Sequence, residues 1–186
     1  DDNHAWVEVY IADSNRWYFM GACEPDPELD MGWFAVPSTR CMMVHSNAFG
    51  RYRGDEEVNF QNHLFAKINM LSNYAPTKKV TVCVKDKDGN TVKDADVKLK
   101  LYNYSEFYPL ATVKTDEKGI AQLTTGLGDL RVWATDGEHY NYVKLDVRQQ
   151  DSVEIFLTRD GYNPEAVHQY CDPYTDVVDN VPPAAG

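Results

Sequence analysis

The chain has 186 residues, enough for one large domain or two small ones, and its 43% hydrophobic content is ordinary for a globular protein. Eighteen Lys and Arg against 29 Asp and Glu leave a net charge of −11, which argues against nucleic acid or an anionic membrane surface as partner, because both call for clustered cations. No apolar run reaches the roughly eighteen residues of a membrane span. Cys23, Cys41, Cys83 and Cys171 form no C-x-x-C pair and no zinc-like spacing with the five histidines, so neither a metal nor a cofactor is expected.

In chain order, His4, Trp6, Glu8 and Tyr10 alternate with Ala5, Val7, Val9 and Ile11, which predicts a strand. Asp13-Ser14-Asn15 is a polar turn, and the apolar run after it, beginning at Arg16-Trp17-Tyr18-Phe19, predicts a second strand. A histidine that opens one strand and an acid, Glu24, just beyond the next are placed to meet across a hairpin. That is half of a nucleophile–histidine–acid site. Pro25 and Pro27 mark a loop, with Asp26 as a second, weaker acid candidate. Trp33-Phe34-Ala35-Val36 and Cys41-Met42-Met43-Val44 are short apolar runs. Asn47 to Gly54 reads as turn, and Phe60 to Leu71 as one strand. Trp6, Trp17 and Trp33 are candidates both for core packing and for the lining of a substrate cleft.

Past Ser72-Asn73-Tyr74-Ala75-Pro76 the texture changes. Val80, Val82 and Val84 alternate with Thr81, Cys83 and Lys85, and Asp88-Gly89 is a hairpin signal. Alternating segments near 97–101, 110–114, 120–124, 130–135, 140–147 and 153–157 complete about seven strands with no helical periodicity, which predicts a two-sheet β-sandwich. Asp86-x-Asp88-Gly89-Asn90 has the opening spacing of a calcium loop but lacks its distant glutamate, and is read as turn chemistry. The polar segment after 158, ending Val181-Pro182-Pro183, reads as a linker or as a tail anchored by Tyr162, Tyr170 and Tyr174.

Two stretches carry family resemblances. His4-x-Trp6-x-Glu8-Val9-Tyr10, then Arg16-Trp17, Ala22-Cys23-Glu24 and Gly32-Trp33, resembles the transglutaminase-like superfamily, most closely its peptide:N-glycanase branch. The match spans about the first thirty-five residues. It implies a papain-like Cys-His-Asp triad in which His4 deprotonates a cysteine and then protonates the leaving amine. Two features depart from the pattern: the position of the family's aspartate is Gly21, leaving Glu24 to replace it, and no cysteine precedes His4. Residues 79–158, with Asp88-Gly89, Asp94-Ala95-Asp96-Val97 and Thr115-Asp116-Glu117-Lys118-Gly119, resemble the carboxypeptidase-regulatory-like or transthyretin-like sandwiches, which imply an accessory domain without catalytic residues.

The expectation is a mainly β protein: a partial transglutaminase-like β region over 1–76, a seven-stranded Ig-like or transthyretin-like sandwich over 77–158, and a tail over 159–186. It is expected to be a shortened piece of a bacterial, extracytoplasmic protein that acts on amide bonds of peptides, glycopeptides or cell-wall material. The chain by itself is expected to be inactive, with its exposed apolar faces covered by the tail, a second copy or an unseen segment. The alternative is a non-catalytic binding or cell-surface scaffold in which the fold survives without its triad.

Overall fold

The computed structural model describes residues 6–21, 26–103 and 106–161. These residues are mainly β. The helical turns among them are short 3-10 segments such as Gly32–Phe34, Pro37–Arg40 and Leu71–Asn73. Among the described residues no helix is long and apolar enough to cross a membrane.

The first unit is a hairpin of β1 (Val7–Ile11) and β2 (Arg16–Met20), antiparallel with Val7 opposite Met20. Asn15, at φ 49°, supplies the left-handed turn between them, a conformation asparagine tolerates better than most residues. Next comes a three-stranded antiparallel sheet of β3 (His45–Phe49), β4 (Val58–Gln61) and β5 (Phe65–Asn69), with β5 in the centre. This differs from the sequence expectation twice. His45–Phe49 is a strand although Asn47 to Gly54 reads as turn, because an edge strand with one solvated face needs no apolar alternation. Phe60 to Leu71 is not one strand but parts of β4 and β5, broken at Asn62, whose side chain accepts from the backbone N–H groups of Leu64 and Phe65.

From Thr77 onward two sheets face one another. One holds β6 (Thr77–Asp86), flanked by β9 (Ile120–Gly126), antiparallel, and β12 (Ser152–Leu157), parallel. The other has the order β13–β11–β10–β7–β8, built from β7 (Asp96–Asn103), β8 (Glu106–Lys114), β10 (Asp129–Thr135), β11 (His139–Asp146) and the two-residue β13 (Arg159–Asp160). The period-2 pattern does what it predicts. Val80, Val82, Val84, Leu123, Ile155 and Leu157 of the first sheet meet Val97, Leu99, Leu130, Val132, Val143 and Leu145 of the second in a single buried core.

Asp88-Gly89 does not join two paired strands, as a hairpin reading requires. A single bridge, Lys85 to Thr91, closes the turn, and the chain then crosses to the opposite sheet. The Asp86 carboxylate organises this turn by accepting from the backbone N–H groups of Asp88 and Asn90. Asp116 does the same for Lys118 and Ile120. These bonds, the Asn90 side chain first for Asp86 and the Ile120 N–H first for Asp116, hold both carboxyls below their ordinary range.

The N-terminal units rest against the edge of β9. The Gly126 N–H donates to the Met42 carbonyl at 3.0 Å, and a Cβ on Gly126 would stand 2.1 Å from the Cys41 carbonyl oxygen. Neither backbone can yield without parting. Gly126→Ala is therefore expected to lower stability by about 2–3 kcal/mol, whereas Gly89→Ala, in open space at φ +84°, incurs only the left-handed backbone penalty of about 1 kcal/mol. Urea denaturation of both variants checks the ordering, and equal effects would contradict it.

Candidate functional site

Of the residues singled out in the sequence, His4 and Glu24 lie outside the described residues, as do Cys23 and Tyr162, Tyr170 and Tyr174. Gly21 is the last described residue after β2, and Asp26 the first beyond the gap. The tryptophans divide. Trp6 and Trp33 meet at 5.8 Å between ring centroids and pack with Phe19, Phe34 and Tyr74 in an aromatic cluster. Trp17 lies on the same face at the turn end of the hairpin, beyond the cluster, 56% exposed against Tyr10. Alternation along β2 puts Phe19 and Trp17 on one face and Tyr18 on the other, and only Phe19, opposite Glu8, is near enough to Tyr74 to be buried in the cluster.

A polar hub anchors the cluster. The Tyr74 hydroxyl donates to Glu8 Oε1 at 2.6 Å, and Trp6 Nε1 donates to the Tyr74 hydroxyl at 3.0 Å. Burial, then the bond to the Glu8 carboxylate, push the Tyr74 hydroxyl far above its usual range, so it stays protonated and donates at every physiological pH. Glu8 is thus held by the cluster.

A second constellation lies in the three-stranded sheet. Val58 pairs with Ile68 and Phe60 with Lys67, so Asn59 is an extra residue in β4, a bulge that redirects its side chain. Asn59 Oδ1 lies 2.8 Å from His45 Nε2, and Asn59 Nδ2 donates to Glu57 Oε1 at 2.9 Å. A carboxylate only accepts, so the Asn59 amide must turn its NH₂ to Glu57 and its oxygen to His45. His45 Nε2 must then carry a hydrogen, which in the neutral ring leaves Nδ1 as the lone-pair nitrogen. Burial, with Lys67 adding to it, lowers the His45 pKa below 6.5 despite opposing contributions from Asn59 and Glu57, so the ring is neutral at pH 7.

Glu57 is itself clamped. It accepts from the Thr124 backbone N–H at 3.1 Å, from Thr124 Oγ1 at 2.6 Å, and from Asn69 Nδ2 at 3.2 Å. The same Asn69 NH₂ donates to the Thr124 carbonyl at 2.8 Å. Burial alone would raise the Glu57 carboxyl, but the bonds from Thr124, Asn59 and Asn69 outweigh it and bring the pKa below its ordinary 4.5.

The His45 ring forms part of the wall of an open cleft of about 350 Å³ between this sheet and β8, which Asn59, Phe60, Phe65, Lys67 and Leu110 also line. Among the described residues no hydrogen bond joins a nucleophile to the imidazole. Cys41, four positions upstream, makes no hydrogen bond to it, and burial raises the thiol, the opposite of what thiolate chemistry needs. The arrangement can orient an imidazole and receive a proton or an anion. Sequence reasoning passed over it because His45 and Asn59 lie in strands that do not pair with each other, and the bulge that brings them together has no Gly or Pro to signal it.

No family model matches the chain, and no curated protein matches it either.

The clamp sets a pH dependence. A carboxyl whose folded pKa is depressed stabilises the fold above its unfolded value, here about 4.5, and loses that contribution as pH falls through the folded pKa. Glu57→Gln is expected to be less stable than the parent by about 1–3 kcal/mol at pH 7, with the gap narrowing below pH 4.5. Denaturant titrations at pH 7 and pH 3 check this; the same gap at both would refute the clamp.

Proposed function

We propose that the chain carries the histidine and acid of a transglutaminase-like, papain-like Cys–His–acid centre acting on amide bonds of peptides or glycopeptides, His4 as the base and Glu24 as the acid that orients it. The observation that carries this reading is the antiparallel pairing of Val7 with Met20 at one end of the hairpin. His4 stands three positions before Val7 in sequence and Glu24 four positions after Met20, so both segments leave from the same pair. An acid that fixes the imidazole's second nitrogen favours the tautomer that deprotonates a thiol. Trp6 and Trp33, wedged by Phe34 and Tyr74, give that end a rigid aromatic flank suited to an extended substrate.

In this reading residues 1–76 are the β portion of the catalytic domain and 77–158 an accessory sandwich of the carboxypeptidase-regulatory-like, Ig-like type. The tight Asp86 and Asp116 turns fit that type. The protein would be bacterial and exported, working on peptide, glycopeptide or wall material. No cysteine precedes His4, so the nucleophile has to come from elsewhere and these 186 residues alone turn over no substrate. Gly21, at the position of the family's aspartate, favours a second reading, a binding or cell-surface scaffold that keeps the fold without the chemistry.

In the protein that carries the cysteine, His4→Ala is expected to lower thiol-dependent amide hydrolysis or transamidation by at least about 10³-fold, and Glu24→Gln by less. Turnover by the 186 residues alone, or an unaffected His4→Ala protein, would sink the enzyme reading; absence of any thiol-dependent turnover would leave the scaffold.

A further inference from the structure

The cleft beside β8 combines three features that do not belong to the hairpin. Lys67 makes no ion pair or hydrogen bond with any described residue, while Lys85, Lys93, Lys114 and Arg148 each reach a carboxylate within 2.8 Å. An exposed lysine is ordinarily just solvated. This one, in a chain with eleven excess negative charges, shares a cleft wall with an imidazole whose orientation is fixed through Asn59, Glu57 and Thr124. Among the described residues His45 Nδ1 has no hydrogen-bond partner. Phe60 and Phe65, 5.6 Å apart and inclined at 44°, with Leu110, give the cleft an apolar stretch of wall beside the polar Asn59 and Thr112. One cation and one imidazole nitrogen beside an aromatic wall match an anionic head on an apolar body.

We propose that this cleft binds a small carboxylate with an aromatic or branched aliphatic body, its head against Lys67 and His45 and its body against Phe60, Phe65 and Leu110. A planar carboxylate suits the site because it accepts one bond from the lysine ammonium and one from an imidazolium. The seated anion favours protonated His45, which donates through Nε2 to Asn59 and through Nδ1 to the ligand. Glu57, beyond Asn59, favours the same charge, and Lys67 opposes it until the ligand neutralises it. The β8 residues on the opposite wall, Leu110, Ala111 and Thr112, do not titrate. Binding therefore takes up about one proton, and affinity rises as the pH falls from 7.5 to 5.5. The site is independent of the Cys–His–acid reading and needs no nucleophile.

The test is an NMR titration of the 186-residue chain with 3-phenylpropionate and with N-acetylphenylalanine, each beside its neutral amide, at both pH values. The expected dissociation constant for at least one acid is about millimolar, the scale for ligands of this size, with shifts centred on His45, Asn59, Lys67 and Leu110. Its amide is expected to bind at least about tenfold more weakly, the loss of one charge-assisted contact. Lys67→Met removes the preference for the acid, and His45→Gln removes the pH dependence, both with unfolding midpoints near the parent's. Binding of the peptide-like acid alone would mark a peptide C-terminus as the source of the carboxylate; binding of both, a free acid. Equal affinity for acid and amide, a pH-independent affinity in the parent chain, or no saturable shift from either acid at about ten times that concentration would overturn the proposal.

Discussion

The Glu57 carboxylate is the constraint on which the region outside the sandwich depends. It receives four donors: the N–H and hydroxyl of Thr124 and the amides of Asn59 and Asn69. That is about the full capacity of two carboxylate oxygens. Thr124 belongs to β9, the edge of its sheet, where an unpaired backbone would invite another strand. Glu57 and Asn69 occupy its N–H and carbonyl with side chains, and Met42 takes the next outward N–H, that of Gly126. The edge is closed without an added strand, and the three-stranded sheet is held against the sandwich by the same bonds.

The orientation of His45 follows from that clasp. With Glu57 anchored to β9, the Asn59 amide has one way to face, and with Asn59 faced, His45 has one neutral tautomer. A bulge at Asn59 makes this reach possible, at the expense of one regular ladder position in a four-residue strand. Substitution of Glu57 would therefore act on more than stability, since it frees the amide that sets the imidazole.

The hairpin is tied down differently. Tyr74 sits in the turn that leads into β6, yet its ring stacks on Phe19 at 4.4 Å and its hydroxyl holds Glu8. The strand that founds the sandwich core thus begins three residues after one that completes the aromatic cluster. On the hairpin's outer side Val7, Val9 and Ile11 stay exposed, so what orders β1 and β2 is one aromatic face and one polar hub.

The sequence by itself determined the sandwich strands. Val80, Val82 and Val84 can bury one face only as a strand, and aspartate-led turns with a left-handed glycine at Gly89 and Gly119 stop each run where it stops in the structure. It also marked the first hairpin, through alternation on both sides of Asp13-Ser14-Asn15. Periodicity says which face of a strand is buried, not which strand lies beside it, so tertiary structure alone decided that β6 and β7 part at Asp88-Gly89 into different sheets. The same holds for the Glu57 clasp and the His45 cleft. Their residues come from β3, β4 and the residue before it, β5, β8 and β9, each polar residue unremarkable in its own segment, and a hydrogen-bond network between distant segments leaves no trace in local pattern because its energy depends on positions that only the packed chain supplies.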